Sequence, residues 1–438
     1  MQLYKYYVEA KSQVKRLLPK QLLGIVRTIV HWTESWLAQL VNGFPARSMH
    51  FVGITGTNGK TTTSLLLAEI LNESGLKVGV STTAVNGVVG ELEYNDFELT
   101  TANPFMIQKL LRKLKNNGCD WIVMEVASHA LVQRRVAGIK FDVTVFTNLE
   151  HDHLDYHGTM QRYAAAKGLL FKNHPKLSVL NLDSEWFNFF AGFKADELVT
   201  FGLSTKADSR IVKANLSAKK TKLTLKLGEN QIKVDFSLPG KFNSMNALAA
   251  AATAHGMEIN VDDIKNGLEK VESIPGRMEI IDEGQNFVVI VDYAHTADAL
   301  DTVFETINQT NKGRLISILG IGGDRDKAKR YPMGQTTAKH ADVVIVTDLE
   351  PRSEDPVAIR HALRDGAESE GKAKVEEIAD RTKAIKHAFK IAKKHDTVVM
   401  TALGHQKHRQ MGAEEFIEWD EREVARKLLR ELLKKSSD

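Results

Sequence analysis

The residues with the plainest chemical potential are Gly56, Thr57, Asn58, Gly59, Lys60, Thr61 and Thr62, within the run GITGTNGKTTT at 53–63. The run reads as G-x-x-x-x-G-K-[ST], with Gly53 as its first glycine, Gly59-Lys60-Thr61 as its end and Gly56 as an extra glycine inside. A glycine-rich turn can aim several backbone N–H groups at one point, and a helix that starts there adds the positive end of its dipole, so the loop suits phosphate. Lys60 would reach the β- and γ-phosphates of a nucleotide, and the Thr61 hydroxyl would suit Mg²⁺. Glu125 ends the apolar run Trp121-Ile-Val-Met-Glu125. A carboxylate at a strand end, on the same sheet edge as the loop, is a ligand Mg²⁺ takes alongside phosphates. A second polar cluster, Thr147–His157, packs three histidines and three acids just past another apolar run.

These groups need elements to hold them. Met49–Ile54 reads as a buried strand and Ser64–Asn72 as the helix after it. Apolar runs at 49–54, 77–81, 120–126, 143–147 and 177–181 alternate with helical patterns, which predicts a mostly parallel sheet with helices on both faces. Alternation in 222–227 and 232–236 predicts an antiparallel hairpin, followed by a helix at Ser244–His255. A second α/β unit is expected from strands at 287–292, 314–320, 342–347 and 397–402 and helices at 296–308, 356–370, 380–394 and 421–435. It looks like a smaller Rossmann-like domain without a Gly-x-Gly-x-x-Gly fingerprint. The expected division is a helical extension at 1–48, an ATP-binding central domain at 49–274 and a C-terminal domain at 275–438.

Residues 21–41 are apolar but interrupted by Arg27, His31 and Glu34, which argues against a transmembrane span. Gly24, Arg27, Thr28, His31, Glu34, Ser35, Ala38 and Gln39 recur at steps of three and four, one stripe of an amphipathic helix. Lys11, Lys15, Arg16, Lys20 and Arg27 make the region basic. Two readings stay open: a helix packed on the next domain, or peripheral membrane contact through residues 1–41. The remaining composition is that of an ordinary soluble protein, with 438 residues, 43% hydrophobic, 26% charged and a net charge of +4. The lone Cys119 excludes an internal disulfide framework and fits a reducing compartment, so a cytoplasmic location is expected. Nucleic acid is not an expected partner, and a monomer acting on small molecules is.

GITGTNGKTTT, MEVASHALVQRRV, VFTNLEHDHLDYHG, YAAAKGLLF, LPGKFNSMNALAA, PGRMEII, VDYAHTADAL and GGDRDKAKR together resemble the Mur ligases, within them the muramyl-tripeptide synthetase (MurE) type. The resemblance implies an ATP-dependent ligase that joins an amino acid to a muramyl-peptide carboxylate through an acyl phosphate, in peptidoglycan precursor synthesis. It implies ATP contacts at Lys60, Asn243, Asn246, Arg277, Asp292 and His295. It implies two Mg²⁺ sites drawing on Thr61, Glu125, His153 and a CO₂-derived carbamate on Lys167, with Lys60, His153, Lys167 and Arg277 as the catalytic set. Thr100, Thr101, Gln133 and Arg135 match acceptor contacts.

The pattern departs from that family in three places. Only 48 residues precede the P-loop strand, so the N-terminal domain that grips UDP is expected to be lacking. The family's E-V-S-S-H is Glu125-Val-Ala127-Ser128-His129. The amino-acid pocket reads Leu349-Glu350-Pro351-Arg352 where D-N-P-R is usual, and Ala402-Leu403-Gly404-His405-Gln406 where G-K-G-H-E is usual. Arg325, Glu350, Arg352, Gly404 and Gln406 are the expected amino-acid contacts, with Arg325 and Arg352 each able to take a carboxylate bidentately. A folylpolyglutamate-synthetase-like ligase and a non-ligase ATP-binding scaffold are the alternatives.

Overall fold

The structure is a computed structural model, and it describes residues 20–95, 100–217, 220–412 and 414–435. Eleven strands form the first sheet: β1 (His50–Thr55), β2 (Val78–Ser81), β3 (Val85–Val88), β4 (Glu91–Tyr94), β5 (Trp121–Glu125), β6 (Val143–Phe146), β7 (Leu177–Asn181), β8 (Glu197–Gly202), β9 (Ser209–Leu216), β10 (Thr221–Leu227) and β11 (Asn230–Phe236). Their order is β11-β10-β9-β8-β7-β6-β1-β5-β2-β3-β4. The centre, from β9 through β2, is parallel, and both margins are antiparallel. The second sheet holds β12 (Glu279–Ile280), β13 (Val288–Val291), β14 (Leu315–Leu319), β15 (Val343–Val346), β16 (Lys374–Glu377) and β17 (Thr397–Met400), in the order β12-β13-β17-β14-β15-β16. It is parallel except at β12.

Helices cover both faces of each sheet, as continuous apolar strands require. One face of the first sheet packs Leu66, Leu67 and Ile70 against the alanine-rich helix Lys241–Gly256, and the other packs Phe51, Ile122 and Phe146 against Leu111 and Phe171. Phe304 and Met333 line one face of the second sheet, Phe389 and Leu429 the other.

The strands expected from sequence are present to within two residues at their ends, and the expected hairpin is β10–β11, with Leu223 opposite Val234 and Leu225 opposite Ile232. It is not a separate unit, because β8 and β9 carry it onto the edge of the first sheet. The pattern did not reveal β3, β4, β8, β9, β12 or β16. β4 is wholly exposed and β16 is the charged edge run Lys374-Val-Glu-Glu377, so in those two no buried face writes an apolar period. The helix Arg330–His340 was also missed. Its Gly334 meets Leu363 O, and Gly366 of the helix Pro356–Ser369 meets Tyr331 O, so close backbone approach replaces apolar interlocking.

The helix Lys20–Val41 ends at Asn42-Gly43, where Gly43 has φ +72°. In its last turns the polar stripe faces the protein: Glu34, Ser35, Ala38 and Gln39 are buried. Ser35 Oγ donates to Arg134 O at 2.7 Å and Gln39 Nε2 to Ala137 O at 3.1 Å. Lys11, Lys15 and Arg16 lie outside the described residues.

One ion pair in the second lobe is wholly enclosed. Arg381, at the start of the helix Arg381–Ile391, donates from Nε to Glu421 Oε1 at 2.9 Å, and Trp419 Nε1 donates to Glu421 Oε2 at 2.6 Å. Removing one member of such a pair strands a charge away from water. We expect Arg381→Ala to lower stability by about 3 kcal/mol in a denaturant titration, with Arg381→Ala/Glu421→Ala recovering part of that loss.

Candidate active site

β1 runs into Gly56-Thr-Asn-Gly59, and the helix Lys60–Glu73 begins at once. Gly59 has φ +82°, and a Cβ there would lie 2.2 Å from Asn246 Oδ1. A Cβ on Gly56 would lie 1.9 Å from Thr147 Oγ1. These two glycines make the turn. Gly53 does not: it sits inside β1 against Phe141 and Leu170, and five residues separate it from Gly59, one more than G-x-x-x-x-G-K-[ST] allows. Its role is strand packing. The loop is braced from behind, since Asn58 N donates to Asn148 Oδ1 at 2.8 Å, Thr57 N to Asn148 O at 2.9 Å and Asn58 Nδ2 to Glu150 Oε2 at 2.6 Å.

Glu125, at the end of β5, is buried and central. Its Oε2 accepts from Thr61 Oγ1 at 2.9 Å, from Thr83 N at 2.9 Å and from Thr83 Oγ1 at 3.0 Å. Lys60 Nζ lies 4.0 Å from Glu125 Oε1 and donates to Thr57 O at 2.7 Å. Lys167, on the helix Met160–Gly168, is fully buried and donates from Nζ to Gly56 O at 2.7 Å. Burial pushes both ammonium groups below their ordinary value, and for Lys167 the charge of Lys60 adds to the effect. His153 neighbours Asp152, with Nε2 to Oδ2 at 3.4 Å, and its ring stands 4.8 Å from that of His129. Burial, together with the charges of His129, Lys329 and Lys167, lowers it to about 3 against the pull of Asp152, so the imidazole is neutral and able to donate a lone pair. His157 is held by Ser128, Oγ to Nε2 at 3.0 Å, while His151 is exposed.

The second lobe presents its own C-terminal sheet edge to this one. Arg277 Nη2 donates to Thr61 Oγ1 at 3.3 Å, and its guanidinium lies over the Tyr293 ring at 4.4 Å. Asp292, at the end of β13, accepts from Met278 N at 2.7 Å and Ala294 N at 2.6 Å, which rigidifies the turn that carries Arg277. Burial raises its carboxyl. His295 donates from Nδ1 to Tyr293 O at 2.9 Å, and burial lowers its pKa against the pull of Asp152. Asn243 and Asn246 are buried on the helix Lys241–Gly256, with Asn246 against the loop at Gly59. A cavity of ≈ 560 Å³ beside the loop is lined by Asn148, Glu150, Asn181, Trp186 and, from the second lobe, Asp298.

Two further cross-lobe contacts come from residues to which the sequence assigned no role. His405 Nε2 donates to Thr83 O at 2.9 Å. Lys329 Nζ donates to Asp152, whose carboxyl stays well below the usual range because His153 and Lys329 lie beside it, in spite of burial. Lys329 stands within GGDRDKAKR, and only its density of charge could have marked it. We expect Lys329→Met to lower kcat by roughly tenfold, about 1.4 kcal/mol in the barrier. Asp152→Asn/Lys329→Met should recover part of this, measured as phosphate release under saturating ATP.

The expected acceptor contacts fall together at the end of β5. Arg135 donates to Thr101 O at 2.8 Å and, from Nε and Nη2, to Gln133 Oε1 at 2.9 and 2.6 Å. Thr101 Oγ1 donates to Glu125 O at 3.1 Å, and Thr100 is its partly buried neighbour. The amino-acid residues occupy loops after β14, β15 and β17, adjacent strands of the second sheet. Arg325 is exposed, whereas Arg352 is already engaged: its Nη2 lies 3.1 Å from Glu350 Oε2. A free bidentate Arg352 is therefore not what the structure presents, since the acid introduced at 350 takes part of its fork. Gly404 has φ +55° and packs against Tyr293, and Gln406 is partly buried beside it. Among the described residues, no group of three or more His, Cys, Asp or Glu side chains converges as a ready-made metal site.

The family model for the Mur ligase middle domain matches residues 54–254, and that for the Mur ligase glutamate ligase domain matches 276–404. The UDP-N-acetylmuramoyl-L-alanyl-D-glutamate--2,6-diaminopimelate ligase of Geobacillus kaustophilus is 39% identical over 403 residues, 90% of this chain and 82% of that one. A solved structure of a UDP-N-acetylmuramoyl-L-alanyl-D-glutamate--2,6-diaminopimelate ligase is similar with a TM-score of 0.63 at 30% identity, covering 93% of this chain and 83% of that one. The folylpolyglutamate synthase of Mycobacterium tuberculosis complexed with ADP and AMPPCP gives a TM-score of 0.73 at 18% identity over 91% of this chain and 94% of that one, a likeness of fold. With both of its lobes matched by the family's own domains and a relative 39% identical across most of its length, the chain belongs to the Mur ligases, ATP-dependent enzymes that form peptide bonds.

Proposed function

We propose that this ligase adds an amino acid to the terminal carboxylate of a muramyl-peptide acceptor in peptidoglycan precursor synthesis, through an acyl phosphate. The observation that carries the reading is the Arg277–Thr61–Glu125 chain, which sets a second-lobe cation on the phosphate loop. An acceptor carboxylate oxygen attacks the γ-phosphorus of ATP, the bond to the bridging oxygen breaks, and ADP leaves. The amine of the amino acid then attacks the acyl carbon, phosphate leaves with the bonding pair, and the amine loses a proton to solvent. Lys60 and Arg277 offset charge on the transferring group, and the closed lobes keep water from the acyl phosphate. Asn243 and Asn246 would meet adenine, Asp292 the ribose and His295 the phosphates.

The donors fit magnesium. Thr61 and Glu125 offer oxygen, His153 a neutral nitrogen, and Lys167 an oxygen once its amine has combined with CO₂. These four would hold Mg²⁺ at two sites, where it supplies positive charge beside the phosphate oxygens. The reading divides the chain into 1–48, 49–274 and 275–438 and describes a cytoplasmic monomer working on small molecules.

The amino acid is set by the Glu350–Arg352 pair and Gln406. The Geobacillus kaustophilus relative is by name a 2,6-diaminopimelate ligase. Here the neutral Gln406 cannot pair with a distal ammonium, so diaminopimelate is one candidate among several. The test is phosphate release with UDP-muramyl peptides against a panel of amino acids, with products identified by mass. Gln406→Glu is expected to raise kcat/KM for diaminopimelate roughly tenfold, the value of one added charged hydrogen bond. An unchanged profile would count against the pocket. Turnover only with folate and glutamate, or no amino-acid-dependent phosphate release at all, would overturn the function.

A further inference from the structure

The last turns of the helix Lys20–Val41, residues 32–41, are mounted with their apolar side outward. Trp32, Trp36, Leu37, Leu40 and Val41 are all at least half exposed, while Glu34, Ser35, Ala38 and Gln39 are turned into the protein. The steps of four from Trp32 through Trp36 to Leu40, and from Leu37 to Val41, place these side chains in two neighbouring rows on one side of the helix. The orientation is fixed from below. Ser35 and Gln39 bond to the carbonyls of Arg134 and Ala137, and Gln39 fills the space beside Gly138 where a Cβ would lie 2.2 Å away. A helix anchored by its polar side and offering two tryptophans and three aliphatic residues to the outside has an unmet apolar face.

We propose that this face docks on the surface of an anionic lipid bilayer. Charge selects that occupant. Residues 1–20 carry Lys5, Lys11, Lys15, Arg16 and Lys20 against the single acid Glu9, so the segment leading into the helix is complementary to acidic headgroups. Tryptophan favours the headgroup boundary, where its ring is buried and its N–H stays wet. No described helix is long and apolar enough to cross a membrane, so the helix lies in the surface plane. Arg134 and Ala137, on which it is pinned, bracket Arg135 in the stretch that holds Gln133. Docking therefore brings the Gln133–Arg135 end of the cleft to the bilayer. The proposal does not depend on the identity of the ligase substrates.

The test is co-sedimentation of the full chain with vesicles of phosphatidylcholine alone or with about one-third phosphatidylglycerol. Binding to the anionic vesicles should be at least about tenfold tighter and should weaken several-fold as salt rises from about 0.05 to about 0.3 M. Trp32→Ser/Trp36→Ser/Leu40→Ser, all at exposed positions, should lose about tenfold or more of that affinity while keeping the melting temperature and phosphate release of the parent. Absence of vesicle binding, equal binding by the triple variant, or equal affinity for neutral vesicles would overturn the proposal. So would a dimer that the triple variant disperses and that does not bind vesicles, since a second copy would then cover the face.

Discussion

Lys60→Ala is expected to reduce ATP-dependent phosphate release by roughly three orders of magnitude or more, with the melting temperature little changed. The side chain stands at the first turn of the helix Lys60–Glu73, and among the described residues it is held by Thr57 O at 2.7 Å and by the longer approach to Glu125. Glu125 keeps Thr61 and two bonds from Thr83 when Lys60 is gone, so the fold loses little. Catalysis loses much more. Lys60, Lys167 and Arg277 crowd one small space, and burial disfavours the charge of both lysines. Such a set is costly until a polyanion enters. A triphosphate relieves the repulsion, and the relief grows as charge builds on the transferring oxygens, which is where selective stabilisation counts. Lys60→Arg should not restore the rate, because a planar fork cannot occupy the point-charge position beside Thr57. The measurement is phosphate release at saturating ATP alongside a thermal melt. A variant that turns over like the parent would remove the phosphate loop from the chemistry.

What the chain told in advance follows from distance along it. The phosphate loop and Glu125 were legible because each lies where an apolar strand pattern stops, and the parallel order then brings both to one sheet edge. Gly53 misled through a count: five residues and not four separate it from Gly59, so the spacing itself placed it outside the turn, and it packs β1 against Phe141 instead. Thr83, His405, Lys329 and Asp152 were not legible as partners, since His405 and Thr83 meet across 322 positions and Lys329 and Asp152 across 177, with no local period to announce either pair. Glu350 was visible as an altered residue, but its grip on Arg352 depends on the turn after β15, where Arg352 has φ +55°. The leading helix taught a different lesson. Periodicity marked its two faces and could not tell which one met the protein. The carbonyls of Arg134 and Ala137 decided that, by needing donors.

Lys167→Ala is expected to lower turnover by about two to three orders of magnitude, and the parent enzyme to lose activity when bicarbonate and CO₂ are stripped from the buffer and to regain it on their return. Lys167 Nζ is enclosed, bonded to Gly56 O at 2.7 Å and 4.6 Å from the centre of the Tyr163 ring. Desolvation first, and the charge of Lys60 second, push its pKa well below the ordinary value, which raises the share of neutral amine. That is the nucleophilic form. Its nitrogen bonds to the carbon of CO₂, one C–O π pair moves to oxygen, and a proton leaves, giving an anion where an ammonium would have faced Lys60. The exchange turns a repulsive neighbour of the phosphate loop into an attractive one, in a site where interactions of either sign are poorly screened. Because a proton is released, the sign with pH is set: acid drives the amine back to ammonium and expels CO₂, so the bicarbonate-dependent part of the activity falls as pH drops and recovers as it rises. A carbon-13 resonance from labelled bicarbonate, present in the parent and missing in Lys167→Ala, would report the adduct directly. Full activity without CO₂, together with no such resonance in the parent, would leave Lys167 as a buried amine holding the Gly56 carbonyl and nothing more.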